Sequence, residues 1–343
     1  MKRVLNTLYV MTEGSYLSRD GDTVKVQVEE ETRLRVPIHT LDGIVCFGRV
    51  TCSQPLMDLC CAHQVNISFM SMTGRFWARV QGPVHGNVLL RREHYRRADD
   101  QNTRQSVACP IVTAKVLNCR HVLLRAVRDH ADKIDETRIR DAAAKLAEVA
   151  ESLQHGPTLE TVRALEGEAA RHYFQVFDHL ITVQKEDFFF RGRSRRPPLD
   201  SMNALLSFLY SVLTHDAVSS LEAVGLDPCV GFLHEDRPGR PSLALDLMEE
   251  FRPVLVDRLA LSLVNRQQVR SKGFKQTESG AVLMDDETRK RVLTAYQDRK
   301  KEEITHPFLG EKMRTGLLVH SQALLFARYL RGDLDAYPPF FWR

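Results

Sequence analysis

The sequence predicts an α+β protein in which a small β-rich N-terminal domain is followed by a larger all-α domain. Its 343 residues exceed the length that one hydrophobic core usually serves, which favours two domains. Short β-rich runs bounded by turn residues fill the first part of the chain, and helical periodicity dominates after Gly86-Asn87. We therefore predict one domain over residues 1–88 and a second over residues 89–343.

The N-terminal part has the pattern of strands separated by tight turns. The segment TVKVQVE, which starts at Thr23, alternates apolar and polar residues directly after the turn residues Arg19–Asp22. This pattern predicts a half-buried strand that belongs to a hairpin. The segment PLMDLCCAHQ has helical spacing and predicts one helix among the strands. Further strands are predicted in the short apolar runs LRVPI, GIVCFG, VNISFM and RFWARV.

The remainder of the chain is dominated by long helical periodicities. The segment RIRDAAAKLAEVAESL is rich in Ala, Leu, Glu and Lys, the strongest helix formers. Because the strands precede the helices, the pattern argues against a βαβ nucleotide-binding fold, and the sequence has no glycine-rich phosphate-binding motif. Other helices are predicted in VLNCRHVLLRAVRDH, TLETVRALEGEAARHYFQVFDHL, NALLSFLYSVLTHDAVSSLEAVG and LALDLMEEFRPVLVDRLALSLVN, with two more towards the C-terminus.

Composition excludes several classes of protein. The chain is 43% hydrophobic and 27% charged, which is ordinary for a globular protein. We find no run of about eighteen consecutive apolar residues and no signal peptide, so we expect a cytoplasmic protein without a membrane segment. The seven cysteines form no C-x-x-C pair, which favours reduced thiols over a zinc site or disulfides.

The charge distribution points towards an anionic partner. The net charge is only +4, but arginines and lysines cluster in three places. Any one cluster is compatible with a solvated face, whereas three in a balanced chain favour a polyanion such as nucleic acid. The clusters contain Arg91, Arg92, Arg96 and Arg97, then Arg191, Arg193, Arg195 and Arg196, then Arg289, Lys290, Arg291, Arg299, Lys300 and Lys301.

The first candidate site residue is Glu166. Its helix can be capped by Thr158 or Thr161, and helical spacing places Glu166 on an apolar face with Tyr173 and Phe177. A carboxylate on a buried face is costly unless it is paired or binds a metal. A glutamate at the edge of the face that reaches water is an equally acceptable interpretation of this helix alone.

The second candidate site is a loop that ends at His234 and the helix after it. Glycines and prolines mark a loop of fixed shape around His234, which alone would more often be structural. The following helix, capped by Ser242, carries Asp246 and Glu249 at i and i+3, so both carboxylates project from one face. Pro253 lies at i+4 from Glu249 and should kink or loosen the helix beside that carboxylate.

Carboxylates combined with imidazole suit Mg²⁺ or Mn²⁺ better than zinc, which prefers thiolates. Such a metal can polarise a phosphoryl oxygen and activate a hydroxyl or water, and the arginine clusters could hold phosphates. These observations favour metal-assisted phosphodiester chemistry. A non-catalytic nucleic-acid-binding protein with structural polar pairs is the alternative.

Several stretches together resemble one family along essentially the whole chain. They are LEGEAARHYF around Glu166, RRPPLDSMNALLSFLYSVL from Arg195, DPCVGFLHEDRPGRPSLALDLMEEFRPVLVD from Asp227, and HPFLGEKMRT and FWARVQGPVHGNVLLRREHYRRADD elsewhere. The sequence resembles the CRISPR-associated endonuclease of the adaptation complex, the first-numbered Cas protein, in its I-C subtype. The pattern E-G…R-P-P-x-D…N-A-L-L-S…G-x-L-H…D-L-x-E is highly specific.

The resemblance implies a β-sandwich-like N-terminal domain, a helical catalytic domain and a homodimer formed through the β domains. It also implies a complex with the small second-numbered Cas protein and with DNA. Carried onto this chain, the ligands of the Mg²⁺ or Mn²⁺ ion are Glu166, His234 and Glu249, and Asp246 is a further catalytic-site acid with a supporting role. Many relatives carry Asp where this chain has Glu249.

The implied reaction is the insertion of foreign DNA fragments into a CRISPR array by attack of a 3′-hydroxyl on a phosphodiester at the repeat edge. A stand-alone nuclease and a non-enzymatic DNA-binding scaffold are the alternatives. Five arginines near the candidate site in sequence are predicted to contact DNA phosphates, although exposed loop charge would explain them as well: Arg191, Arg193, Arg195, Arg196 and Arg240.

Overall fold

The computed structural model describes residues 7–72, 76–82 and 88–342. The chain divides into two compact units, Met1–Gly86 and Asn87–Arg343. The first unit is β-rich and the second is mainly helical, which confirms the predicted fold class. The boundary signal Gly86-Asn87 lies outside the described residues.

The N-terminal unit contains two four-stranded sheets and one helix. The first sheet has the order β1-β5-β7-β8, with parallel pairing except between β7 and β8. The second has the order β4-β3-β2-β6, with antiparallel pairing except between β2 and β6. The elements are β1 (Thr7–Val10), β2 (Tyr16–Asp20), β3 (Thr23–Val28), β4 (Glu31–Pro37), β5 (Gly43–Phe47), β6 (Thr51–Cys52), α1 (Gln54–Ala62), β7 (Asn66–Met70) and β8 (Phe76–Val80).

The local sequence explains the elements of this unit. The predicted hairpin forms between β2 and β3, and Gly21 adopts a φ of +60° at its turn, a conformation that glycine tolerates without a steric penalty. Val24 and Val26 of β3 are buried in a core that both sheets share. Helix α1 begins where the Ser53 side chain accepts a hydrogen bond from the backbone N–H of Leu56, as expected of a capping serine.

The C-terminal unit contains nine helices among its described residues. It also contains two short hairpins, β9 with β10 and β11 with β12, which the prediction of an all-α domain missed. The helices are α2 (Val88–Asp99), α3 (Gln101–His130), α4 (Glu136–Ser152), α5 (Leu159–Gln175), α6 (Ser201–Ala223), α7 (Ser242–Glu249), α8 (Arg258–Asn265), α9 (Asp286–Lys301) and α10 (Leu318–Leu330). The strands are β9 (Phe274–Gln276), β10 (Val282–Met284), β11 (Glu303–Thr305) and β12 (Lys312–Arg314).

Two helical segments, Gln101–Lys133 and Ser201–Ala223, are long and apolar enough by length and composition to cross a membrane. We expected no such segment from the sequence. Their apolar windows are 61% and 67% buried inside the protein, and the core helices of globular proteins pass the same test. We therefore describe both segments as core helices.

Two further local predictions concern the helices that carry the candidate residues. Thr158 caps α5 by accepting a hydrogen bond from Thr161, as predicted. Ser242 is not a cap, because it is the first residue of α7 and its hydroxyl donates to the carbonyl of Glu235. The predicted loosening at Pro253 is confirmed, since residues Arg252–Asp257 form a π-helical segment between α7 and α8.

Candidate active site

Glu166 and Glu249 meet at one buried cation, the ammonium group of Lys115. Lys115 lies in the middle of α3, Glu166 lies in α5 and Glu249 ends α7. The Nζ atom of Lys115 is 2.7 Å from Oε2 of Glu249 and also contacts Oε1 of Glu166. The Nη1 atom of Arg252 is 2.6 Å from Oε1 of Glu249. Two carboxylates and two cations therefore balance one another at the junction of three helices.

Burial makes these charges strongly dependent on one another. The side chains of Lys115 and Glu249 are 8% and 2% exposed, whereas that of Glu166 is 30% exposed. Burial alone would raise the pKa of Glu249, but the charges of Arg252, Lys115 and His234 lower it to about 2. Burial opposes the charge of Lys115 too, and Glu249 and Glu166 nevertheless raise its pKa. Glu249 is thus held ionised in the interior, with Glu166 nearer to the solvent.

His234 is oriented by Asp246. The Nδ1 atom of His234 lies 2.6 Å from Oδ1 of Asp246, a carboxylate with no exposed surface. The same carboxylate accepts hydrogen bonds from the backbone N–H groups of Phe232, Leu233 and His234 at 2.6, 3.0 and 2.9 Å. With Nδ1 donating to Asp246, the lone pair of the imidazole is on Nε2, the arrangement in which histidine binds metals. Asp246 is therefore fully occupied by the His234 loop and has no acceptor site left for a metal.

Arginines from two other helices hold the His234 loop from the outside. Arg104 of α3 donates to the carbonyl of Phe232 at 3.1 Å, and Arg163 of α5 donates to that of Leu233 at 2.8 Å. Both guanidinium groups also pair with Glu235. The loop is consequently bound to the helix that carries Glu166 and to the helix that carries Lys115.

The loop also requires a glycine at position 231. A Cβ atom placed on Gly231 would lie 2.7 Å from Cβ of Ser242 and 3.0 Å from Oδ2 of Asp246. Those distances are shorter than van der Waals contact, so any side chain would push the loop away from α7. The pattern G-x-L-H in the sequence therefore has a steric cause here.

The donor set fits a hard divalent cation in its chemistry. Two carboxylates already converge on one cation, and the positive charge that His234 carries when protonated contributes to lowering the pKa of Glu249. Carboxylate oxygens with one imidazole suit Mg²⁺ or Mn²⁺. Within the described residues no three His, Cys, Asp or Glu side chains are grouped closely enough to coordinate an ion. Glu166 and Glu249 share the ammonium group of Lys115, and His234 contacts Asp246 instead.

The predicted DNA-binding arginines differ in their surroundings. The guanidinium group of Arg193 is held by hydrogen bonds within the protein: its Nη1 donates to Oδ1 of Asn203 at 2.6 Å and its Nη2 donates to the hydroxyl of Ser207 at 3.1 Å. Arg191 is exposed and lies 5.1 Å from the ring centre of Phe189. The other three arginines differ in exposure: Arg195 and Arg196 are exposed and Arg240 is half-buried.

An aromatic ring links the arginine loop to the site. The guanidinium groups of Arg193 and Arg252 lie 5.2 and 5.0 Å from the ring centre of Tyr210, and cations are attracted to the face of an aromatic ring. The hydroxyl of Tyr210 donates to Asp257 at 2.5 Å. Arg252 therefore contacts both Glu249 and the ring that supports Arg193.

Sequence reasoning missed four residues of this site. Lys115 and Arg252 were not candidates, and neither were Arg104 and Arg163. A signal existed for the first two, because Lys115 is a lone charge within the apolar stretch IVTAKVL and Arg252 follows Glu249 at i+3. The two loop-holding arginines carry no local signal, since their partners are backbone carbonyls far away in sequence.

Comparison with known proteins places the chain in a family. The family model described as CRISPR associated protein Cas1 matches residues 8–298. The CRISPR-associated endonuclease Cas1 1 of Chlorobaculum tepidum is 53% identical over 343 residues, which is 100% of both chains.

Solved structures show the same fold. A chain of a Cas6-RT-Cas1–Cas2 complex matches with a TM-score of 0.83 and 19% identity, over 99% of this chain and 37% of that longer one. A casposase bound to its integration product matches with a TM-score of 0.80 and 22% identity, over 98% of this chain and 94% of that one. From the family model and the full-length relative, the chain belongs to the Cas1 family of CRISPR-associated proteins.

Proposed function

We propose that this chain is a metal-dependent DNA integrase and endonuclease that inserts foreign DNA fragments into a CRISPR array as new spacers. One observation carries the proposal: Glu166 and Glu249 share a buried cation, while Asp246 holds the imidazole of His234 in one orientation. Full-length similarity to a CRISPR-associated endonuclease supports the nuclease class. The shared fold with a casposase, described as bound to an integration product, is compatible with integration.

The proposed roles follow from the contacts. Glu166, His234 and Glu249 would hold Mg²⁺ or Mn²⁺, with His234 using Nε2 because Nδ1 is bound to Asp246. When bound, the ion supplies a positive charge that polarises the phosphoryl oxygens and stabilises the leaving oxygen. Asp246 is then a positioning residue, which refines the sequence-based expectation of a further acid at the catalytic site. His234 as a neutral ligand cannot also be the general base.

The reaction needs little from the protein beyond alignment and charge. The 3′-oxygen of the incoming fragment forms a bond to a phosphorus at the repeat edge, and the bond from that phosphorus to the 3′-oxygen of the repeat strand breaks. The attacking hydroxyl loses its proton and the leaving oxygen gains one, so the number of phosphodiesters is unchanged. With water as the nucleophile, the same site would nick DNA. Of the five arginines predicted to contact DNA, Arg191, Arg195 and Arg196 are exposed and available to hold phosphates.

The partners in this proposal are DNA, a second copy of the chain and a small Cas2-type protein. A Cas2 partner is supported by the Cas6-RT-Cas1–Cas2 complex, in which one chain has the fold of this protein. We assign dimerisation to the β-rich unit and the I-C subtype to the whole chain on the sequence resemblance described above.

Strand transfer tests the proposal. A short DNA duplex with free 3′-hydroxyls is incubated with a supercoiled plasmid that carries the repeat, in the presence of the small partner and Mg²⁺, Mn²⁺ or a chelator. We expect metal-dependent joining at the repeat borders, with loss of at least 100-fold, about 2.7 kcal/mol, in Glu166→Gln, His234→Ala and Glu249→Gln. Glu168→Gln is the matched control, because this glutamate of the same helix is 44% exposed and pairs only with His172 in the described contacts.

The possible results separate the alternatives. Joining that survives all three substitutions in folded protein would show that the assigned residues are wrong. Cleavage of the plasmid without joining would favour a stand-alone nuclease. DNA binding with neither reaction under any metal would favour a scaffold. Binding of Mn²⁺, followed by the electron spin resonance of the free ion, gives a readout that does not depend on activity and should weaken in the same three variants.

A further inference from the structure

A group of arginines surrounds the indole ring of Trp342 within the helical unit. The guanidinium carbon of Arg258 lies 3.9 Å from the ring centre, and that of Arg125 lies 5.3 Å from it. The ring of His121 packs against the indole with its centroid 4.6 Å away. We call these four residues the Trp342 cluster, together with Arg120 and Arg128, whose charges act on His121, and Arg299, whose charge acts on Arg258.

Four separate parts of the chain build the Trp342 cluster, three helices and the C-terminal segment that carries Trp342. Arg120, His121, Arg125 and Arg128 come from the second half of α3, whereas Arg258 begins α8 and Arg299 lies near the end of α9. The backbone N–H of Trp342 donates to Oδ1 of Asn118 on α3 at 2.8 Å, which anchors the indole on that helix. The fold therefore assembles the cluster from residues that are far apart in sequence.

The cluster carries more positive than negative charge. Asp129 accepts from both Arg125 and Arg128, and Glu302 pairs with Arg299 at 3.3 Å. Five arginines thus face two carboxylates, an excess of three positive charges among the described residues. The like charges affect one another: burial, Arg299 and Arg125 lower the pKa of Arg258 to about 9.

Arg258 is the member best placed to bind a ligand. It is half-buried and stacked on the indole, and among the described residues it has no carboxylate within ion-pair distance. Stacking fixes the plane of the guanidinium group and leaves its edge N–H groups free to make paired hydrogen bonds to a phosphate. An arginine held in this way loses less side-chain entropy on binding than a flexible lysine would.

We propose that the Trp342 cluster is a binding site for the phosphate backbone of DNA, separate from the candidate active site. The inference rests on the proposed function, since it supposes that DNA is the partner of this chain. The excess charge, the ordered guanidinium group and the three contributing helices fit a ligand that presents several phosphates in a row. The cluster would hold a stretch of duplex while the carboxylates act on another phosphodiester.

The test compares DNA affinity at several salt concentrations, using the full-length chain and a fluorescein-labelled duplex followed by anisotropy. Loss of one phosphate contact reduces the slope of log affinity against log salt by about 0.9. We expect that reduction, and an affinity several-fold lower, in both Arg258→Gln and Arg125→Gln. Arg125 is 38% exposed, so its variant remains informative if Arg258→Gln is less stable. Arg140→Gln is the matched control, since it removes an exposed arginine of α4 that pairs with Glu136.

The outcomes distinguish this inference from the proposed function. Wild-type slopes in both folded variants, with normal strand transfer, would overturn the inference alone. An unaltered DNA affinity with lost binding to the small partner would also overturn it and assign the cluster to an acidic protein surface. If the wild type bound no DNA at any salt concentration, the inference and the proposed function would both fail.

Discussion

Replacement of Lys115 by methionine is the sharpest test of the charge balance in the candidate active site. Methionine retains the packing of the aliphatic stem, so the substitution removes the ammonium group without opening a large cavity. The ammonium group contacts Glu166 and Glu249, and Glu249 keeps its pairing with Arg252 at 2.6 Å. The variant therefore has two carboxylates with one buried cation.

The cost can be worked out from the structure. Loss of one partner of a buried ion pair usually costs 3–5 kcal/mol, because the remaining charge stays buried. Arg252 still neutralises Glu249, and Glu166 is 30% exposed and can be hydrated, which places the cost near the lower limit, about 3 kcal/mol. Lys145→Met is the matched control. This lysine of α4 is 48% exposed and pairs with Asp141, so its loss should cost at most about 0.5 kcal/mol.

The assay is urea unfolding with and without Mn²⁺. A ligand of the folded state at 100 times its dissociation constant stabilises that state by about 2.7 kcal/mol. In the wild type the ion competes with Lys115 for the same carboxylates, so we expect Mn²⁺ to bind Lys115→Met more than about tenfold more tightly. Wild-type stability and unchanged Mn²⁺ affinity in this variant would refute our interpretation of Lys115.

Three other predictions concern residues around the site. Burial raises the pKa of Asp257 from 3.8 to about 6, so the stabilisation from its bound proton is complete below pH 4 and is lost as the pH rises through 6. Urea unfolding at a series of pH values should show the free energy of unfolding of the wild type falling by up to about 3 kcal/mol relative to that of Asp257→Asn over that interval. If the free energies of unfolding of the two proteins instead changed in parallel with pH, the prediction would be contradicted. Gly231→Ala should lower the free energy of unfolding by about 1–3 kcal/mol and reduce strand transfer. Gly167→Ala is the control: a Cβ there meets nothing within 4 Å, so thermal unfolding should show a stability higher by about 0.5–1 kcal/mol. Glu250→Ala leaves the hydroxyl of Tyr337 and the backbone N–H of Phe340 without their acceptor, whereas Gln322 keeps Tyr337 and Pro338 as acceptors, so it should cost about 2 kcal/mol or more in urea. A loss below about 1 kcal/mol would mean that the two donors find other partners.

Features that depend on neighbouring residues were predictable from the sequence. The β2–β3 hairpin, the Thr158 cap and the loosened helix at Pro253 each follow from backbone preferences of a few adjacent residues. The acidic pair Asp246 and Glu249 was also visible, because i and i+3 positions share a helix face whatever the tertiary structure. The two short hairpins of the helical unit were missed, since strands of three residues are too short for an alternating pattern to emerge.

Features that depend on helix packing were not predictable. The meeting of Lys115 with Glu166 and Glu249 joins residues 51 and 134 positions apart, and only the packing of α3 against α5 and α7 brings them together. The partner of Lys300 also depends on helix packing. It belongs to one of the three basic clusters that we took to favour a polyanion partner, yet its side chain is buried and pairs with Asp216 at 3.0 Å. Its neighbour Arg299 instead joins the Trp342 cluster.

The consecutive residues Glu249 and Glu250 show how packing shifts the pKa of the same type of side chain in opposite directions. Arg252 and Lys115 bring the pKa of Glu249 to about 2 against the effect of burial, whereas burial raises the pKa of Glu250 to about 7, since its partners are neutral donors. Those partners include Tyr337 and the backbone N–H of Phe340, so Glu250 binds the C-terminal segment.

Asn118 links the end of α7 to the C-terminal segment. Its amide donates to the carbonyls of Glu250 and Phe340 at 2.8 and 2.9 Å, and it accepts from Trp342. Asn118 lies three residues after Lys115 on α3, so one stretch of this helix holds both the paired carboxylates and the segment that carries Trp342. A substitution that loosens the C-terminal segment should therefore displace Glu249 as well, because Asn118 and Glu250 both bind that segment and Glu250 directly follows Glu249.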